Sequence, residues 1–102
     1  MIEKIKSAVI KGNIKWQKHA LERMLERVIA RNSVKKVLLT GGIIESYPND
    51  KPYSSYLIAG IDGSDVFHVV AALDENSGTC YIITAYKPDE KHFESDLNTR
   101  RT

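Results

Sequence analysis

The sequence predicts an α+β domain, with N-terminal helices packed on a four-stranded, mainly antiparallel sheet and a short C-terminal helix. Three observations predict it. Apolar residues in the first forty positions recur at helical spacing, most clearly Leu21, Met24, Leu25 and Val28 at i, i+3, i+4 and i+7. From residue 43 the texture changes to short apolar runs bounded by turn residues. These runs follow one another directly, so successive strands are expected to pair as an antiparallel meander, with the helices gathered on one face.

Each element has its own justification. Ile2, Ile5 and Val9 mark a first helix over residues 2–11, closed by Gly12. Asn13 to Gln17 is short and extended; it either pairs as a brief strand or leads into the second helix, Lys18 to Ile29. Asn32 or Ser33 caps a third helix over 33–40, with Val34, Val37 and Leu38 inward, and Gly41-Gly42 ends it. Ile43 to Tyr47 reads as a strand, and Pro48 to Pro52 as a loop. Tyr53 to Ile61 is the next strand and Asp62-Gly63 a hairpin turn. Val66 to Leu73 is almost wholly apolar and therefore central. Asp74 to Gly78 turns the chain into Thr79 to Tyr86. Pro88 stops that strand, and 89–98 is the closing helix.

The 102 residues suit one domain, spanning 1–102, with a small core. Cys80 is the single cysteine and lies in an apolar run, so it reads as a small core residue. No Cys/His spacing suits a metal, no cofactor motif is present, and no stretch approaches a membrane span or a signal peptide; the expected compartment is the cytoplasm. Net charge is only +2, but it is lopsided. Residues 1–40 carry ten Lys/Arg against three Asp/Glu, and residues 41–99 carry three against ten. A basic face that approaches nucleic acid fits this asymmetry.

The second helix carries the first candidate site. Opposite its apolar stripe, His19, Arg23 and Arg27 fall at i, i+4 and i+8, with Glu22 and Glu26 beside them. Guanidinium forks and an imidazole in a row suit a phosphate, because Arg donates bidentately and His exchanges a proton near neutral pH. The same spacing also describes an ordinary solvated face held by Glu–Arg pairs. His68 interrupts the apolar strand Val66-Phe67-His68-Val69-Val70, sharing a face with Val66 and Val70. Alternation puts Ile82, Thr84 and Tyr86 on one face of the last strand and Tyr81, Ile83 and Ala85 on the other. In a meander His68 would neighbour Thr84 or Tyr86. It is either an acid–base group beside two hydroxyls or a buried histidine satisfied by one hydrogen bond. Glu45 and Tyr47 share one face of their strand. Tyr53 and Tyr56 are able to stack on bases or simply to pack. Arg100-Arg101 is a basic tail or a phosphate contact, and His92 is read as surface.

The ordered set His19-Ala20-Leu21-Glu22-Arg23-Met24 with Arg27, Gly42 to Pro48, Pro52 to Leu57, His68-Val69-Val70, Ile83 to Pro88 and Arg100-Arg101 resembles the signature of a family of small, mostly uncharacterised bacterial and archaeal proteins. That family is similar to the RelE/BrnT-like toxin superfamily, which includes barnase-like and EndoU-like ribonucleases. The resemblance spans about residues 17–101. It departs near position 92 or 93, where the family carries an aromatic residue, commonly Trp; here the pair is His92-Phe93, with Phe93 read as the packing residue and His92 left without a role. It implies a RelE/barnase-EndoU-like fold and the toxin of a type II toxin–antitoxin system. Such a toxin is a metal-independent endoribonuclease acting on mRNA, free or ribosome-bound. Its partner would be a cognate antitoxin, in some members of the zinc-finger YgiT/MqsA type.

Metal-free RNA cleavage needs a base for the 2′-hydroxyl proton, an acid for the leaving 5′-oxygen and cations for the phosphorane. The residues selected for catalysis are His19, His68, Arg23 and Tyr86; those for substrate binding are Arg27, Thr84, Arg100 and Arg101. The pairing of His19 with His68 requires the second helix to lie near the sheet face that bears His68. The rival reading is a non-catalytic RNA- or protein-binding module on the same scaffold. A metabolic enzyme for a small anion has less support, since no Gly-rich phosphate loop or nucleophile elbow is present.

Overall fold

The computed structural model describes residues 1–88. Eight elements follow in order: α1 (Ile2–Ile10), β1 (Ile14–Trp16), α2 (Lys18–Glu26), α3 (Arg31–Thr40), β2 (Gly42–Tyr47), β3 (Ser55–Asp62), β4 (Asp65–Asp74) and β5 (Thr79–Tyr86). The strands form one mixed sheet in the order β1-β5-β4-β3-β2. Strands β2 to β5 are the expected antiparallel meander. The expectation of four strands is corrected to five, because Ile14–Trp16 pairs parallel with Cys80–Ile82 at the edge of β5. Three residues carry too little pattern to declare a strand; the pairing is supplied by a partner more than sixty positions away. The expected C-terminal helix at 89–98 lies outside the described residues.

All three helices cover one face of the sheet. Ile5, Ala8 and Val9 of α1, Ala20 and Met24 of α2, and Val34, Val37 and Leu38 of α3 meet Ile58, Phe67, Val69, Ala71, Leu73, Cys80, Ile82 and Ala85 in one core. At roughly 1.5–3 kcal/mol for each large aliphatic side chain, this burial is the main force assembling the layers. α3 begins at Arg31, earlier than the Asn32 or Ser33 cap predicts. The Ser33 hydroxyl instead donates to Asp62 at 2.7 Å, tying α3 to the end of β3.

Helices α1 and α2 end by the same hydrogen-bond pattern. In α1, Gly12 N donates to Val9 O and Asn13 N to Ala8 O; in α2, Val28 N donates to Leu25 O and Ile29 N to Met24 O. This double bond requires a left-handed residue at the turn. Gly12 takes it at φ +76°, whereas in α2 a β-branched residue takes it, Val28 at φ +55°. The second helix therefore stops short of the expected Ile29. Its apolar stripe is corrected too: Met24 is buried, but Leu25 is 82% exposed and Val28 87%. Ala20, Met24 and, beyond the turn, Ile29 make the buried set.

Face alternation along β5 also departs from expectation. Val70 pairs with Thr84 but Ala71 with Ile82, so Ile83 is an extra residue, a β-bulge. The bulge changes the side on which its neighbours lie. Cys80, Ile82 and Ala85 all face the helices, while Tyr81, Thr84 and Tyr86 share the opposite face with Ala72, Val70 and His68. Ile82 thus parts from Thr84 and Tyr86, and Tyr81 joins them.

Candidate functional site

The sheet face away from the helices is read through its register. From β5 to β2, one row runs Tyr86, His68, Ala59; the next runs Thr84, Val70, Leu57, Glu45; the third runs Tyr81, Ala72, Ser55, Tyr47. Among the described residues no helix lies on this face. The predicted neighbourhood of His68 with Tyr86 is therefore present: they pair across β4 and β5, with ring centroids 5.6 Å apart and planes tilted by 59°. His68 has no solvent-accessible surface, whereas Tyr86 and Thr84 are half-buried. On β2 the Tyr47 hydroxyl donates to the Glu45 carboxylate.

Arg27 joins the helix layer to this face. β1 covers only Cys80–Ile82, and Gln17 N adds one bond to Ile82 O, so among the described residues the edge of Ile83–Tyr86 has no strand beside it. α2 packs there. Arg27, the residue that caps α2, donates from Nη1 to Ala85 O at 2.9 Å and to Thr84 Oγ1 at 3.4 Å. Both bonds use one nitrogen of the guanidinium fork, so its other N–H donors point to no described partner. The positive group also closes a carbonyl edge that would otherwise invite another strand.

The remaining α2 candidates stand apart from this face. His19 is 88% exposed at its side chain, with Nδ1 3.4 Å from Glu22 Oε2, and Arg23 Nη1 lies 3.4 Å from Glu26 Oε2. His19 is eight residues from Arg27, about 12 Å along the helix axis. The structure brings Arg27, Thr84, Tyr86 and His68 into one continuous group. It leaves His19 and Arg23 on the solvent side of α2, and it does not join the two histidines at one point. Arg100, Arg101 and His92 lie outside the described residues. Farther along, Arg31 stacks over the Trp16 ring at 6.0 Å, extending the basic line from α2 into α3.

Sequence reasoning missed a cavity of about 400 Å³ on the same face, beside the β2–β3 loop. Tyr53 and Tyr81 form its aromatic wall, stacked at 5.5 Å and 13°. The Asp74 carboxylate beside Tyr53, more than burial, holds that phenol above its usual range and hence protonated. Asp74 itself is held low, chiefly by the Ser77 hydroxyl. Of the two, Tyr53 carried a signal, named with Tyr56 as a strand tyrosine able to stack on a base. Tyr81 was assigned to the wrong face, for want of the bulge. Burial pushes the Cys80 thiol up to about 12, as befits a core residue. Among the described residues no cluster of His, Cys, Asp and Glu is arranged to hold a metal ion, and no helix is long and apolar enough to cross a membrane.

No curated protein and no solved structure matches the chain. A protein-family model does match, over residues 16–87, from Trp16 at the end of β1 through Arg27 and His68 to Lys87 just past β5. On that match the chain belongs to the DUF4258 family, a domain of unknown function.

Proposed function

We propose that this protein is a metal-independent endoribonuclease, the toxin of a toxin–antitoxin pair, with its reaction centre at the β5 edge. The observation that carries the reading is the Arg27–Thr84 bond. It brings Arg27, the last member of the basic row of α2, to the sheet edge beside the face that bears Tyr86 and His68. Arg27 offers its unused donors to a phosphate, and the Thr84 hydroxyl stands beside it. The 2′-hydroxyl gives its proton to solvent water, its oxygen attacks phosphorus and the bond to the 5′-oxygen breaks, leaving a 2′,3′-cyclic phosphate and a 5′-hydroxyl. Tyr86, two residues beyond Thr84 on the same face, hands the proton to the leaving oxygen. His68, sealed behind it, holds the phenol in position. Arg23 extends the track for a single strand along α2. The likeness of the sequence to the RelE/BrnT-like superfamily supports the same reaction and a small protein antitoxin as partner.

The test is induced expression with RNA ends mapped in the same cultures. Wild type slows growth and produces new cuts with cyclic-phosphate ends. Tyr86→Phe lowers cleavage by about 10²–10⁴-fold while keeping the fold. Arrest-free growth with abundant folded wild type and intact RNA removes the enzyme reading. The second reading, a non-catalytic RNA- or protein-binding module, is favoured by the complete burial of His68. It predicts RNA retention without fragments.

A further inference from the structure

We infer that the cavity beside the β2–β3 loop is a nucleotide subsite, holding one unstacked base of a single RNA strand and its phosphate; this rests on the RNA reading above. The cavity measures about 400 Å³, within the range of small-ligand sites, and has the composition such sites need. Its floor is apolar, formed by Val70, Ala72 and Ile83. Its wall is the Tyr53–Tyr81 pair, two nearly parallel rings from different elements that fix each other. Aromatic faces of this kind accept any base by stacking.

The polar groups are few and sit around the rim. Lys51 supplies a cation for a phosphate, and the Gln17 side chain supplies both a donor and an acceptor for a base edge. Asp50 supplies a carboxylate that accepts ring N–H groups, and it is anchored by the Ser55 hydroxyl. A free anion would need only Lys51, and a purely apolar ligand would leave Asp50, Gln17 and Lys51 without use. A planar ring carrying hydrogen-bonding edges and a negative group uses all of them. Gln17 also lies at the junction of β1 and α2, immediately before the basic row of the helix. A strand held along α2 thus reaches the cavity at the N-terminal end of that row.

The test titrates the full chain with the four nucleoside 5′-monophosphates and, as a control without a base, ribose 5-phosphate. Amide and tyrosine-ring NMR resonances report the site. The expected result is movement of Val70, Ala72, Ile83 and both tyrosine rings with the nucleotides and not with ribose 5-phosphate. Tyr81→Ala weakens binding about tenfold. Lys51→Glu, on an exposed loop where folding is not at stake, weakens it severalfold. Equal response to ribose 5-phosphate, shifts confined to α2, or unchanged affinity in Lys51→Glu overturns the inference. RNA cleavage in the same variants separates the two claims. Nucleotide binding without any cleavage by wild type keeps the subsite and removes the ribonuclease. Cleavage with an unchanged KM in Lys51→Glu keeps the ribonuclease and removes the subsite.

Discussion

Val28 is the residue whose conformation costs most relative to its chemistry. It adopts the left-handed backbone that Gly12 adopts at the end of α1, but it is β-branched and 87% exposed, so no packing offsets the strain. Val28→Gly is expected to raise stability by about 1 kcal/mol, read as a shift in the denaturant midpoint at unchanged slope. Gly12→Val should do the reverse. Asp62 gives a pH prediction. Bonds from the Ser33 hydroxyl and Lys36 hold its carboxyl below the ordinary range. A depressed carboxylate contributes stability that is present above its unfolded pKa, about 4, and is lost as pH falls through the folded value. The difference in Tm between wild type and Asp62→Asn should therefore be visible at pH 7 and shrink below about pH 4. Cys80, buried and with its thiol pushed up to about 12, should resist thiol reagents until the protein unfolds.

At the scale of elements, the contact between α3 and β3 has the least room. A Cβ on Gly41 would come within 2.2 Å of the Ala59 carbonyl oxygen and 2.6 Å of the Val37 carbonyl oxygen, both backbone atoms that cannot turn aside. Gly41→Ala is expected to cost about 1–3 kcal/mol, measured by chemical denaturation, while Gly42→Ala, with open space, costs far less. Helices and meander strands were legible in the sequence because their patterns are local: Val34, Val37 and Leu38 recur at helical spacing, and Thr79 to Tyr86 is bounded by turn residues at both ends. What was not legible was decided elsewhere in the chain. β1 exists because β5 accepts it. The end of α2 is set by a left-handed Val, a residue whose type argues against that conformation. The bulge at Ile83 follows from pairing with β4, and no sequence period reports it. The candidate site divides the same way. His68 beside Tyr86 follows from strand alternation within β4, whereas Arg27 beside Thr84 and the Tyr53–Tyr81 wall depend on how distant elements meet.

Over the whole molecule, the basic N-terminal elements and the more acidic strand region are layered, and α2 turns part of the positive charge toward the β5 edge. RNA binding should follow that line of charge. The logarithm of affinity should fall linearly with the logarithm of salt concentration, and each of Arg23→Ala and Arg27→Ala should reduce the slope by about 0.7 on single-stranded RNA. An unaltered slope in both variants would place the strand elsewhere. The strand order has one more consequence. β1 and α2 both rest on β5, the last described strand, whereas α1 packs mainly on α3. As synthesis runs from the N-terminus, β1 and α2 have no strand to settle on until residues 79–86 have left the ribosome. Docking of β1 and α2 is therefore bound to wait for β5, and a nascent fragment that ends before it has neither the edge that Arg27 closes nor the face that carries Tyr86. The edge and the face that make up the candidate site thus come together only after residue 86 has been made.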